Sequence, residues 1–386
     1  MVIIKLRKNS STNQLICNIL NETITLFFYK FKTVSNTHTL FGSNAKPDID
    51  HILVINTYAD SNPWSNSLIN PILDMASKNN KIGVVTAHLK MLAVDNQDDL
   101  KKIKESLFQK LPSQTPKLIV MIGCASYILC DELNNQWPDV PMLLCGERDY
   151  TGPEELITTG EPITPEQRIP VSNLHEKFNL TFMYAHNYLE ENIQLMKQLI
   201  PQLENIIYIG DRTYICRQNN YDLSEVLQEK HPELKYQFLS AENISTDSLF
   251  TILNHQNQQT TGVLFTSWIR KQDFTDNLVM TTNSHRIIAT VSIPLFSFRT
   301  VGIKEEGGIV GGYVYNEKRY ISQLLTNIDD IINGKPARDI PFYQIDNGAP
   351  VFNYHSLLQR NLDPSRCPQS TIFFNAPPTF WEQYEY

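Results

Sequence analysis

The stretch Ile52-Leu53-Val54-Ile55-Asn56, followed at once by Thr57-Tyr58-Ala59-Asp60-Ser61, decides the fold. The first half is apolar at consecutive positions, with no alternation. A strand that is apolar on both sides is covered on both sides, which is the signature of a parallel sheet with helices on its two faces. The second half is small and polar and stops the run. Beyond it Leu68, Ile69, Ile72, Leu73 and Ala76 recur at helical spacing.

This strand–break–helix unit repeats. Ile82-Gly83-Val84-Val85-Thr86 precedes an amphipathic helix with Leu100, Ile103, Leu107 and Leu111 on one face. Leu118-Ile119-Val120-Met121-Ile122 closes on Gly123-Cys124-Ala125-Ser126, and Met142-Leu143-Leu144-Cys145 closes on Gly146. Residues 150–177 are rich in Pro, Glu, Thr and Gly without a period, and read as a long surface connection. The pattern then resumes with Ile206-Ile207-Tyr208-Ile209 before Gly210-Asp211-Arg212, and Tyr236-Gln237-Phe238-Leu239 before Ser240. Ser245 is placed to cap the helix that carries Leu249, Ile252 and Leu253. Val263-Leu264-Phe265 ends on Thr266-Ser267-Trp268, and Ile287-Ile288-Ala289 leads into Pro294-Leu295-Phe296-Ser297-Phe298. Gly307-Gly308-Ile309-Val310-Gly311-Gly312 reads as a flexible crossover, and a helix from Asn316 to about Ile332 stops at Asn333-Gly334, with Pro336 beyond.

Two sets of about four units predict an α/β protein of two doubly wound parallel-sheet lobes joined by a hinge. The expected division is 1–45 as a leader or disordered segment, 46–165 plus 308–336 as lobe 1, 166–307 plus 337–376 as lobe 2, and 377–386 as a tail. The leader is basic at Lys5, Arg7 and Lys8, with a small-x-small triplet at Ser43-Asn44-Ala45.

Composition narrows the function classes. The chain has 386 residues, 33 Lys+Arg against 41 Asp+Glu, and a net charge of −8. An acidic balance argues against nucleic acid or an anionic membrane surface as the main partner. With 41% hydrophobic and only 19% charged residues, the chain has a core to bury and is not disordered. The six Cys lack C-x-x-C spacing and the nine His lack H-x-H and H-E-x-x-H, so no metal is expected. There is no phosphate-binding G-x-x-x-x-G-K-[ST] and no G-x-S-x-G, so neither a cofactor nor catalysis is expected. No window is long and apolar enough for a membrane helix.

What remains is a ring of polar and aromatic residues where the strands end. In doubly wound sheets, ligands bind outside the carboxyl ends of the strands. The first set offers Tyr58, Asp60, Ser61, Trp64, Cys124, Ala125, Ser126, Gly146 and Asp149 as cleft residues. The second offers Asp211, Tyr214, Ser267, Trp268 and Ser297, with Arg212 and Arg299 beside them. Aromatic platforms with orienting hydroxyls suit a small polar solute held between lobes that close over it.

Several short stretches carry a family resemblance. Ile52-Leu53-Val54-Ile55-Asn56-Thr57-Tyr58 with Pro63-Trp64, Val140-Pro141-Met142-Leu143-Leu144-Cys145-Gly146, and Asn333-Gly334-Lys335-Pro336-Ala337-Arg338-Asp339-Ile340-Pro341 fall in the family's order. The end, Asn375-Ala376-Pro377-Pro378-Thr379-Phe380-Trp381-Glu382-Gln383-Tyr384, is the most specific, although Ala376 replaces the family's Arg and Thr379 its Ser. Residues 50–386 thus resemble the extracytoplasmic, ABC-transporter substrate-binding-like sensor domains of bacterial histidine kinases. The resemblance implies a type I periplasmic-binding fold, a non-catalytic ligand-binding domain signalling by lobe closure, and a parent anchored by a membrane helix after Tyr386 that leads to a kinase. A homodimer is also compatible with it. The alternative is a free solute-binding protein of an ABC transporter. Tyr58, Trp64 and Gly146 match the patterned positions best.

Overall fold

The structure, a computed structural model, describes residues 50–58, 62–78, 82–89, 91–271, 278–279, 290–304, 308–344 and 348–378. The leader expected at 1–45, the strand expected at Ile287-Ile288-Ala289, Gly307 and the tail from Thr379 onward lie outside them.

Two sheets organise these residues. The first runs, edge to edge, Tyr343–Gln344, Leu180–Tyr184, Met142–Gly146, Leu118–Ile122, Asp50–Asn56 and Ile82–His88, all parallel. The second runs Ile372–Phe374, Ala349–Asn353, Gly311–Val314, Leu295–Ser297, Thr261–Phe265, Asn205–Gly210 and Lys235–Ser240. Its neighbours are parallel except for Ala349–Asn353 against Gly311–Val314. The fold is therefore α/β with two mostly parallel sheets, as the unbroken apolar runs require: Ile52 to Ile55 and Leu118 to Ile122 are wholly buried.

Helices cover both faces. Behind the first sheet, Pro63–Lys78 packs Leu68, Ile69 and Ile72 with Leu324 and Ile328 of helix Glu317–Ile332. On the other face, Gln97–Lys110 brings Leu107, and Cys130–Gln136 brings Leu133. Leu189–Leu199 and Tyr214–Lys230 cover one face of the second sheet, and Thr246–Asn254 covers the other. Ser245 caps this last helix as expected, accepting from the Ser248 N–H at 3.0 Å.

Three expectations differ from the structure. Residues 150–177 are not a featureless connection. Tyr150–Thr151 pairs with Ile169–Pro170, the short helices Glu154–Thr159 and Val171–Lys177 follow the two strands, and Tyr150, Ile157, Ile163 and Val171 join the core. Elements of two to seven residues are too short to show a period. Strand Leu180–Tyr184 continues the first sheet well past residue 165, and Gly311–Val314 pairs into the second, so sheet membership does not follow the ranges expected for the lobes. Gly311 and Gly312, expected in a flexible crossover, are strand residues. The chain crosses between the sheets after Tyr184, after Val314, and between Gln344 and Ala349.

Candidate functional site

The parallel strands of each sheet end near the other sheet, and the residues just past them share one cavity of about 130 Å³. From the first sheet come Tyr58, two residues past Asn56, and Glu147, next after Gly146. Trp64 joins them from the first turn of Pro63–Lys78. From the second sheet come Thr213, Phe265, Thr266, Ser267, Ser297 and Arg299. Asn187, at the first crossover, and Asn219, on helix Tyr214–Lys230, complete the polar wall.

Of the residues singled out from sequence, Tyr58, Trp64, Ser267 and Ser297 line this cavity, as does Arg299 beside them. Cys124, Ala125 and Tyr214 line a smaller cavity of about 40 Å³ that shares Tyr58. Asp60 and Ser61 lie outside the described residues. The other five do not line either cavity. Asp149 is exposed. Ser126 is buried, its hydroxyl donating to the Gly123 carbonyl at 2.7 Å. Gly146 is needed for close packing, because a Cβ there would lie 2.1 Å from the Tyr127 Oη. Trp268 is buried, and its indole N–H donates to Thr246 at 3.1 Å. Asp211 is fully buried and fixes the rim, accepting from the Ser267 and Thr213 hydroxyls, both at 2.6 Å.

Glu147, Asn187 and Asn219 were missed. Glu147 carries the strand-end signal, one residue beyond a marked Gly. Asn187 follows Leu180–Tyr184, a strand whose sequence carries no unbroken apolar run. Asn219 is a polar residue inside a helix, and only its burial distinguishes it.

Two charged residues line the wall, Glu147 and Arg299. The Glu147 carboxylate accepts from the Tyr58 hydroxyl and, at 3.3 Å, from the Cys124 N–H. Burial, and then the Glu147 charge, push the Tyr58 phenol well above its ordinary pKa, so it stays a donor. The same two causes raise the Cys124 thiol, leaving it inert as a nucleophile. Burial lifts Cys145 to about 12. Arg148 is buried, donates to Asn219 Oδ1 at 2.6 Å, and pairs with Asp222 at 2.9 Å. Arg299 donates to the carbonyls of Ala185 at 3.0 Å and His186 at 3.2 Å, and stands over the rings of Trp64 and Tyr315. Trp64 in turn donates to the Tyr315 hydroxyl at 2.8 Å.

Links between the two sides are numerous. Asp222 also binds Arg168 at 3.1 Å, Arg212 donates to the Val94 carbonyl at 2.8 Å and pairs with Asp95, and Arg217 donates to the Thr159 carbonyl at 2.8 Å. Tyr214, Ile215 and Cys216 pack into the core on the face of the first sheet that Leu107 and Leu133 cover. These bonds span the cleft. Among the described residues, no three His, Cys, Asp or Glu side chains converge to hold a metal, and no helix is long and apolar enough to cross a membrane.

No family model matches the chain, and no curated protein matches it. Solved structures do. The ABC domain in complex with L-Trp from Streptococcus pneumonia superposes with a TM-score of 0.54 at 12% identity, over 84% of this chain and 99% of that one. A conserved domain protein from Vibrio cholerae gives 0.54 at 11% identity, over 85% and 100%. An uncharacterized protein from Actinobacillus succinogenes gives 0.50 at 10%, over 78% and 97%. At such identities the likeness speaks to the fold alone, an α/β arrangement of two mostly parallel sheets.

Proposed function

We propose that the chain is an extracytoplasmic module that binds a small polar solute in the cleft between its lobes. The observation that carries this reading is the cavity of about 130 Å³ walled by strand-end residues of both sheets. That volume holds a small solute and not merely a single water. Tyr58, Trp64, Ser267, Ser297 and Arg299 are proposed as binding residues, with Asp211 holding the rim. A ligand touching both lobes favours the closed arrangement over an open one, and that difference in affinity is the signal. The complex of a structurally similar domain with L-Trp supports a solute as occupant.

Two roles downstream of binding are carried by different observations. The motif order ending in Asn375-Ala376-Pro377-Pro378 supports a sensor that reports closure to a histidine kinase. The likeness to an ABC domain supports delivery of the solute to a transporter equally well. Reading the gene beyond Tyr386 separates them: a membrane helix and kinase in frame favours the sensor, and a stop codon favours the transporter role.

Binding itself is tested by a thermal-shift screen of amino acids, sugars, nucleosides and small organic acids. A solute at 100 times its dissociation constant adds about 2.7 kcal/mol of stability. Absence of a shift with every class contradicts the reading.

A further inference from the structure

We infer that the solute carries a protonated amine, and that Glu147 is the residue that selects it. The inference rests on the solute-binding reading above. Glu147 lines the cavity and is only 4% exposed. Its carboxylate receives two donors, the Tyr58 hydroxyl and the Cys124 N–H, and among the described residues no Lys or Arg pairs with it. The adjacent Arg148 does not neutralise it. That guanidinium donates to the Glu147 backbone carbonyl at 2.8 Å and is committed to Asn219 and Asp222.

A carboxylate removed from water without a counter-charge is costly, and such groups are ordinarily paired. Here the open side of the carboxylate is the cavity. Asn187, 6% exposed, also lines the cavity, and its Nδ2 donates to Asn219 at 2.9 Å. Glu147 therefore leaves acceptor capacity and a negative charge on the wall. An ammonium brings three donors and a positive charge, and the aromatic rings of Tyr58, Phe265 and Phe298 on the same wall accommodate a cation as well. A hydroxyl in the same place supplies one donor and no charge.

The test is a set of matched pairs that differ only in the amine: L-leucine against 2-hydroxyisocaproate, glucosamine against glucose, and putrescine against 1,4-butanediol. Thermal shift finds the pair that binds, and calorimetry gives its affinities. The amine of at least one pair is expected to bind about 10- to 100-fold more tightly than its hydroxyl partner, the range of a charged hydrogen bond. Glu147→Gln keeps the shape, removes the charge, and is expected to abolish that preference while the far-ultraviolet circular dichroism is unchanged. Should the variant not fold, the matched pairs on the native chain decide alone. Hydroxyl partners that bind as well as or better than their amines overturn the role of Glu147 and leave solute binding standing. An undiminished amine preference in Glu147→Gln overturns it too. A native chain that responds to none of these six, nor to the wider screen, overturns solute binding itself.

Discussion

His186 stands at the first crossing between the sheets, its ring edge-on to Tyr184 at 5.0 Å and to Tyr188 at 4.7 Å. Burial lowers its pKa below 6.5, and Arg148 and Arg299 lower it further against an opposing Asp149. The unfolded chain takes up the proton near 6.5, and the folded chain only at lower pH. Between those two values the unfolded state holds more protons, so stability falls as pH drops through 6.5 and levels off below the folded pKa. His186→Gln is expected to flatten this loss, read as urea midpoints between about pH 5 and 7. Part of the slope remains, since burial also lowers the pKa of His51. Single residues were legible where the strand-end rule applies: Tyr58, Trp64, Ser267 and Ser297 come from breaks that the apolar runs make visible. Glu147 and Asn219 matter because of where burial leaves them, and burial is a property of the folded chain.

At the scale of elements, the central strands could be read because they are apolar at every position. The strands Asp50–Asn56 and Leu118–Ile122 differ from expectation by at most two residues at an end. Leu180–Tyr184 is hard to read because it follows the very short elements of 150–177, and its Thr181 breaks the apolar run. Thr181 is fully buried and donates to the Ile340 carbonyl at 2.9 Å, so the polar residue fits the core. Gly311–Val314 depends on a neighbour of another kind. It pairs with Leu295–Ser297 only at Gly311, and beyond that point Asn192 of helix Leu189–Leu199 stands in for the missing strand. The Asn192 amide accepts from the Tyr313 N–H at 2.8 Å and donates to the Tyr313 carbonyl at 2.9 Å. Asn192→Ala strands both backbone groups and is expected to cost about 2–4 kcal/mol in urea unfolding. Asn192→Asp retains the acceptor but buries a carboxylate against the Tyr188 and Tyr313 carbonyls, and should lose at least as much.

At the scale of the whole molecule, charged side chains reach across the cleft and hold its two sides together. Arg148 follows a strand of the first sheet, and Asp222 lies on a helix that covers the second. Burial works against the Arg148 charge, and Asp222, joined by the weaker pulls of Tyr150, Tyr184 and Cys124, more than offsets it. Asp222→Ala leaves that guanidinium buried without its partner, and a loss of about 3–5 kcal/mol is expected. X-ray scattering should show the same variant with a larger radius of gyration, as the lobes separate. The central claim is that the cavity between the sheets is where the solute binds. Its most direct measurement compares the thermal shift given by the best solute of the screen in the native chain and in Val301→Trp, where an indole fills the space beside Arg299 on the cavity wall. The account predicts a shift of several degrees in the native chain and none in a folded Val301→Trp. An equal shift in both would place the solute elsewhere and contradict the account.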